Sequence, residues 1–248
     1  MPCAVTWSDV RRIEVGFTCN NHCVFCAPGN LRERLPQNPK LASELSEVAE
    51  GDRVAFVGGE PTLFDELSSW VRQAKEHGAA SVVVQTNARR LAVQGYAKEL
   101  AAAGVDALDV SMAGSTEAMH DYHTTVEGSF RQTVAGLRRA RAAGIAFGIT
   151  VVITRSNYRH LPEIAHVAHT LGARGLHLAA AEAVGSAALN AASVLPNREL
   201  VAPYLEAAIR RARQLGLSVV TGADTGAESA RQWFAGRGRA EDDSAAGV

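Results

Sequence analysis

The segment Cys19-Asn20-Asn21-His22-Cys23-Val24-Phe25-Cys26 holds three of the four cysteines in the chain. We call it the cysteine loop. It follows Arg12-Ile13-Glu14-Val15-Gly16-Phe17, whose alternating apolar residues predict a β-strand. Three thiolates this close together can converge on one metal centre. A [4Fe–4S] cluster usually takes four protein cysteines, so a loop with three would leave one iron open to another ligand.

Spacing alone leaves other interpretations of these thiols open. Together with His22, the three cysteines could form a closed structural zinc site. They could also be plain buried or disulfide-bonded thiols, although the spacing favours a metal centre over that alternative. The fourth cysteine, Cys3, stands apart from the others and is interpreted as an incidental thiol near the terminus.

Composition and charge narrow the class of protein. The chain has 248 residues, of which 47% are hydrophobic, and this suits one large α/β domain. Its 25 basic and 26 acidic residues give a net charge of -1, which argues against a basic nucleic-acid face or a membrane-surface patch. We find no signal peptide and no apolar run of membrane-spanning length. Free thiols and these absences predict a reducing, cytoplasmic location.

Short apolar stretches alternate with amphipathic ones along the whole chain, which predicts strands alternating with helices. The predicted strands after the first are residues 53–57, 81–85, 106–112, 145–153 and 175–178, with a further short strand at 217–220. The predicted helices are residues 41–50, 63–77, 91–103, 129–143, 161–171 and 198–215.

This alternation is typical of a parallel sheet covered by helices. Six such units favour a partial (β/α)6 barrel of the TIM type, and an open doubly wound sheet is the alternative. We expect one domain over residues 1–222. Residues 223–248 form a predicted tail, partly disordered, in which Trp233 and Phe234 dock on the body.

Every polar or glycine-rich interruption follows a predicted strand. In a parallel α/β fold the carboxyl ends of the strands meet on one face, so these segments are expected to lie together. Besides the cysteine loop, they are Gly58-Gly59-Glu60-Pro61-Thr62, Gln85-Thr86-Asn87, Ser111-Met112-Ala113-Gly114, Thr154-Arg155-Ser156-Asn157 and Ala181-Glu182-Ala183-Val184-Gly185-Ser186.

Each of these segments also has a purely structural interpretation. Gly58 and Gly59 could be turn residues; alternatively they let a ligand approach a backbone with exposed amides while Glu60 accepts hydrogen bonds from an ammonium group. Ser111 could bond a neighbouring strand or contact a ribose. We expect His120 and His123 to be solvated in a polar loop, and we interpret His177 as a core histidine.

Taken together, these motifs resemble the radical S-adenosylmethionine (radical SAM) superfamily. The resemblance rests on Cys19-x3-Cys23-x2-Cys26, with Phe25 before the last cysteine, and on Gly58-Gly59-Glu60-Pro61-Thr62 after the next strand. Ser111-Met112-Ala113-Gly114 and His120-Asp121 leading to Gly128-Ser129-Phe130 add weaker support. The resemblance covers roughly residues 10–220 and is strongest with the branch that contains molybdenum-cofactor and peptide-modifying enzymes.

The resemblance implies a partial (β/α)6 barrel and a [4Fe–4S] cluster held by the three cysteines of the loop. S-adenosylmethionine would chelate the fourth iron. Gly58, Gly59 and Glu60 would hold its ammonium group, and Ser111 its ribose.

Three further residues are implied in the same pocket. Asn87 is a weaker assignment there. Relatives often place Arg where this chain has His123, so His123 or Arg155 is expected to meet the cofactor carboxylate.

The implied chemistry is reductive cleavage of S-adenosylmethionine to a 5′-deoxyadenosyl radical, which abstracts hydrogen from a peptide or small-molecule substrate. A flavodoxin or ferredoxin would supply the electron. No cysteine follows Cys26, so we predict one cluster and no auxiliary-cluster domain. No catalytic side chain is assigned. The alternative function is a zinc- or cluster-stabilised binding or carrier protein without radical chemistry.

Overall fold

Seven parallel strands form one sheet in the computed structural model, which describes residues 10–29 and 37–222. The strands are β1 (Val10–Glu14), β2 (Arg53–Val57), β3 (Ser81–Thr86), β4 (Ala107–Ser111), β5 (Ala146–Ile153), β6 (Gly175–Ala180) and β7 (Ser218–Gly222).

The order of the strands in the sheet is their order in the chain, from β1 to β7. A doubly wound sheet reverses its order at a switch point, and this sheet does not. Parallel neighbours joined by right-handed crossovers in one direction place their helices on a single face. The prediction of a partial barrel is therefore confirmed. Within the described residues the sheet is not closed, and the short strand predicted at residues 217–220 is its seventh member.

Nine α-helices lie between the strands in the described ranges. They are α1 (Leu41–Ser46), α2 (Leu67–Glu76), α3 (Tyr96–Ala103), α4 (Glu117–Thr124), α5 (Ser129–Ala142), α6 (Leu161–Leu171), α7 (Gly185–Leu189), α8 (Ala191–Val194) and α9 (Arg198–Gln214).

The six predicted helices are all present, with several ends shifted. Helix α2 begins at Leu67 because Pro61–Leu63 form a separate 3-10 turn. No periodic pattern predicted α4, which falls in a stretch expected to be a polar loop, or the short α7 and α8.

Alternate strand residues build two different layers. Large side chains such as Phe56 and Phe147, both fully buried, pack against the helices in the main core. Smaller residues such as Ala55, Val83 and Ala107 form a separate cluster on the other, concave face. Both faces of the strands are therefore covered, which explains their nearly continuous apolar sequences.

Polar side chains cross the concave face from β3 to β6. Asp109 accepts hydrogen bonds from Gln85 Nε2 (3.1 Å) and from Thr150 Oγ1 (2.5 Å). The same hydroxyl lies 3.4 Å from Nδ1 of His177, which is fully buried. The interpretation of His177 as a core histidine is confirmed.

None of the helices within residues 10–29 and 37–222 has both the length and the apolar character needed to cross a bilayer. The predicted tail at residues 223–248, with Trp233 and Phe234, lies outside the described residues, and so does Cys3.

One glycine shows how closely α5 packs on the end of β3. A Cβ atom at Gly136 would overlap the carbonyl oxygen of Ala88. We expect Gly136→Ala to lower the free energy of unfolding by about 2 kcal/mol, although alanine is the better helix former, because overpacking displaces the backbone. Urea unfolding measures this. The control Arg138→Ala, at an exposed position of the same helix, should change stability little; equal stabilities for the two variants would contradict the account.

Candidate functional site

The cysteine loop lies at the carboxyl end of β1. Cys19, Cys23 and Cys26 are each partly buried, and none of them is in a disulfide. A turn joins Cys26 N–H to the carbonyl oxygen of Cys23 (3.1 Å), and Asn21 N–H points to the Cys19 sulfur (3.4 Å). In the part of the chain that the structure describes, no three His, Cys, Asp or Glu side chains are already arranged to hold a metal ion.

The segment after β2 supports the chain leading into the cysteine loop. Gly59 N–H donates to Gly16 O and Glu60 N–H to Thr18 O, both at 2.8 Å. A Cβ atom at Gly58 would overlap Gly16 O, and one at Gly59 would overlap the carbonyl oxygen of Thr18. The two glycines are therefore required by this close backbone approach. The expectation of exposed amides is wrong for Gly59, whose N–H is bonded within the protein.

Glu60 joins the ends of β2 and β3. Its carboxylate is almost fully buried and accepts four hydrogen bonds: Oε1 from Thr62 N (3.1 Å), Thr62 Oγ1 (2.6 Å) and Thr86 Oγ1 (2.6 Å), and Oε2 from Asn87 N (2.6 Å). Burial raises the pKa of Glu60, while these donors act in the opposite direction. The carboxylate thus fixes the shape of two strand ends at once.

Asn87 and Arg89 tie the end of β3 directly to the cysteine loop. Asn87 Nδ2 donates to Asn20 Oδ1 (2.6 Å). The Arg89 guanidinium donates to the carbonyl oxygen of Asn20 and to Asn21 Oδ1, the latter at 2.7 Å. Asn87 was among the residues predicted near the site, whereas Arg89, two residues further along the same segment, was not.

Helix α4 holds the middle of the cysteine loop. His22 N–H donates to Thr124 O (2.9 Å), and Val24 N–H donates to His123 O (3.0 Å). The rings of Phe25 and His123 lie 6.0 Å apart between centroids. The aromatic residue before the last cysteine therefore packs on the helix that carries two of the main-chain acceptors.

His123 is fully buried, so the prediction of a solvated side chain is wrong for it. Its Nδ1 lies 2.7 Å from Met119 O and must carry the proton, since a carbonyl only accepts. Nε2 is then the acceptor for Thr154 Oγ1 (2.7 Å) or Ser156 Oγ (2.8 Å). Burial lowers the pKa of His123, which favours this neutral form. A neutral ring bonded in this way offers no N–H to a carboxylate.

The remaining predicted residues lie at the ends of other strands. Ser111 is the exposed last residue of β4 and pairs in register with Thr150 of β5. Arg155 is exposed after β5; its main-chain N–H donates to Val194 O and its Nη1 to Ala192 O, both at 2.9 Å. The structure thus places Gly58, Gly59, Glu60 and Asn87 around the cysteine loop. Ser111 and Arg155 lie further along the sheet, at the carboxyl ends of β4 and β5.

The His120-Asp121 motif has a structural explanation. Asp121 accepts hydrogen bonds from Gly128 N (2.6 Å), Ser129 Oγ (2.7 Å) and Phe130 N (2.8 Å), and so ties α4 to the start of α5. The Gly-Ser-Phe that follows supplies these donors, and that spacing was the available signal in the sequence.

His120 makes stability depend on pH. Its Nδ1 accepts from Ala113 N (3.3 Å), and burial lowers its pKa from 6.5 to about 4. As the pH falls, the unfolded chain takes up this proton before the folded chain does. The contribution of neutral His120 to the free energy of unfolding is therefore fully present above pH 6.5 and is lost as the pH drops towards 4, by up to about 3 kcal/mol. We expect His120→Gln to lose this component of the pH dependence in urea unfolding. Parallel pH profiles for the two proteins would contradict the prediction.

Gly59 tests the contact beneath the cysteine loop. We expect Gly59→Ala to displace residues 17–18 and with them the loop, because the new Cβ meets main-chain oxygens that cannot rotate away. The three loop thiols should react faster with iodoacetamide, by about tenfold, as read by peptide mass spectrometry. The control Gly51→Ala adds a Cβ to open space at a φ of 86° and should leave thiol reactivity unchanged. Equal rates in both variants would refute the close contact.

Comparison with known proteins points to one family. The Radical SAM superfamily model matches residues 13–168. The AdoMet-dependent heme synthase of Oleidesulfovibrio alaskensis is 27% identical over 191 residues, covering 75% of this chain and 49% of that protein. The mycofactocin maturase MftC of Mycobacterium tuberculosis is 31% identical over 177 residues, covering 69% and 43%. The chain spans about half the length of these curated relatives.

Solved structures show the same fold. SuiB of Streptococcus suis bound to S-adenosylmethionine aligns with a TM-score of 0.66 at 18% identity, covering 86% of this chain and 50% of SuiB. SuiB bound to its precursor peptide SuiA aligns with a TM-score of 0.64 at 14% identity, covering 91% and 51%. The matched superfamily consists of enzymes that use a [4Fe–4S] cluster and S-adenosylmethionine. The family model covers more than half of the sequence, and the chain therefore belongs to the radical SAM superfamily.

Proposed function

We propose that Cys19, Cys23 and Cys26 hold a single [4Fe–4S] cluster and that S-adenosylmethionine ligates its remaining iron. The observation that carries this proposal is the position of three thiols, outside any disulfide, on a loop whose entering backbone, at Gly16 and Thr18, is bonded to the Gly58–Glu60 segment. A donor set of three thiols fits a cluster that takes one outside ligand. The side chains are not gathered as they stand, so cluster binding orients them on a loop whose backbone is already fixed.

Glu60 supports the binding of a cationic ligand beside the cysteine loop. A buried carboxylate with a raised pKa gains stability from a nearby positive charge, and an ammonium or sulfonium group supplies one. Oε2 accepts only one of the four hydrogen bonds described above, so it has capacity for another donor. Gly58 and Gly59 then shape the backbone at the ammonium end of the ligand.

The other cofactor contacts follow from charge and position. Arg155 has an exposed guanidinium with N–H groups beyond the one given to Ala192 O, so we assign the cofactor carboxylate to Arg155. His123 is neutral and bonded, and its role here is to support the cysteine loop. Ser111 serves the ribose, and Asn87 holds the loop from below through Asn20.

Held by Cys19, Cys23 and Cys26, the cluster would pass one electron from an external donor to S-adenosylmethionine, whose S–C5′ bond would break to give methionine and a 5′-deoxyadenosyl radical for abstraction of a substrate hydrogen atom. A low-potential flavodoxin or ferredoxin is the proposed electron donor. Cys19, Cys23 and Cys26 are the proposed protein ligands of this cluster.

We favour a peptide as the substrate over a small molecule. The support is that MftC is named a maturase and that SuiB has been crystallised with a precursor peptide. The reaction would be a modification of that peptide in a biosynthetic pathway.

Anaerobic reconstitution tests the function. The reconstituted protein should bind about four irons per chain and, with dithionite, convert S-adenosylmethionine to 5′-deoxyadenosine and methionine in equal amounts. Cys23→Ala should abolish the product. Stoichiometric zinc with no iron uptake would overturn the proposal in favour of a zinc-stabilised binding protein. A bound cluster that yields no 5′-deoxyadenosine would favour the alternative of a carrier protein without radical chemistry.

Glu60→Gln removes the carboxylate charge with little change in shape and turns one of its two acceptor oxygens into a donor. We expect it to weaken S-adenosylmethionine binding by about tenfold or more, since a hydrogen bond to a charged group is worth about 1.5–3 kcal/mol. Calorimetric titration of the reconstituted protein measures this. Glu99→Gln is the matched control, because Glu99 accepts a hydrogen bond from Ser68 (2.6 Å) away from the site. Equal affinities for the two variants would remove Glu60 from the cofactor pocket.

A further inference from the structure

Two segments far apart in the sheet order meet at the last cysteine. The cysteine loop follows β1, at one edge of the sheet, whereas residues 185–194, with helices α7 and α8, follow β6 near the other edge. Ser186 N–H donates to Cys26 O (2.9 Å), and Asn190 Nδ2 donates to Val24 O (3.4 Å). Residues 185–194 therefore reach from the carboxyl end of β6 to the loop that follows β1.

The contact between the two segments is a backbone-to-backbone crossing that depends on glycine. Gly185 has a φ of 51°, and a Cβ atom there would overlap the carbonyl oxygens of Cys26 and Ala27. Just after the cysteine loop, Gly29 has a φ of 54°, and a Cβ atom added there would lie 3.2 Å from Gly185 Cα. A side chain at Gly185 is thus excluded by both sterics and backbone conformation.

Residues 185–194 are also fixed at their other end. Arg155 after β5 donates from its main chain to Val194 O and from its side chain to Ala192 O, both at 2.9 Å. Asn190 Nδ2 donates to Ser186 O (2.9 Å) within the segment. Val194 is buried, so the segment is anchored in the core as well as on the cysteine loop.

We propose that residues 185–194 act as a latch that holds Cys26 in place, with Gly185 and Asn190 as its positioning residues. Helix α4 holds His22 and Val24, and the latch extends this support to the third cysteine. With Cys26 held, the loop stays preorganised for its ligand. Residues 185–194 also cover the site near that thiol. The effect on a cluster rests on the proposed function, whereas the contact with Cys26 does not.

The first test uses the cluster-free full chain. Gly185→Ala should raise the rate at which iodoacetamide alkylates Cys26 by about tenfold, and Asn190→Ala by about threefold, as expected for loss of its one side-chain hydrogen bond to the cysteine loop. Alkylation of Cys19 is the internal reference. Gly144→Ala is the matched control, because Gly144 has a φ of 80° and its Cβ meets nothing within 4 Å. The milder Asn190→Ala decides the test if Gly185→Ala does not fold.

The second test measures retention of the reconstituted cluster. Both latch variants should lose iron to a chelator several times faster than wild type, with Gly144→Ala unchanged. Unchanged Cys26 alkylation in a folded Asn190→Ala variant would overturn the latch, whatever the wild type binds. Faster alkylation in a protein that takes up no iron would uphold the latch and count against the proposed function instead.

Discussion

The site depends on the close contact between the backbone entering the cysteine loop and the segment that follows β2. Two main-chain hydrogen bonds of 2.8 Å, from Gly59 and Glu60, bring these strand ends together, and no Cβ fits between them at Gly58 or Gly59. The contact lets a loop without secondary structure of its own share the rigidity of the sheet. Three thiols on such a loop lose less conformational entropy when they bind a common ligand.

Around this contact, the polar side chains of the strand ends mostly bind one another. Glu60 is engaged by Thr62, Thr86 and the Asn87 main chain, and Asn87 in turn holds Asn20 of the cysteine loop. Buried networks of this kind are favourable only when their members are satisfied. The strand ends beside the cysteine loop are therefore held by the protein's own hydrogen bonds, four of which Glu60 accepts.

The sequence predicted the alternation of strands and helices well because each crossover unit carries its own periodic signal. Residues 53–57 and Leu161–Leu171 were predicted with the bounds that the structure shows. Helix α4 was not predicted because its composition is polar and its burial comes from tertiary contacts. For the same reason, His120 and His123 were wrongly predicted to be exposed to solvent. Side-chain periodicity does not register contacts made far along the chain.

In the candidate site, too, local motifs could be predicted and long-range contacts could not. The cysteine spacing and the Gly58-Gly59-Glu60 motif are local, so they could be found in the sequence. The bonds from Arg89 to Asn20 and from Ser186 to Cys26 join residues about 70 and 160 positions apart, and only the fold brings them together. The glycines illustrate the difference: their presence was plain, but their main role, to accommodate the neighbouring backbone, needed the structure.

The most direct measurement of the central claim is the electron paramagnetic resonance spectrum of the reconstituted, dithionite-reduced protein before and after S-adenosylmethionine is added. If one iron is left open by Cys19, Cys23 and Cys26, a single reduced-cluster signal should appear and its g values should shift when the cofactor binds. A cluster signal that stays unchanged at saturating S-adenosylmethionine would contradict an open iron and, with it, the account given for this site.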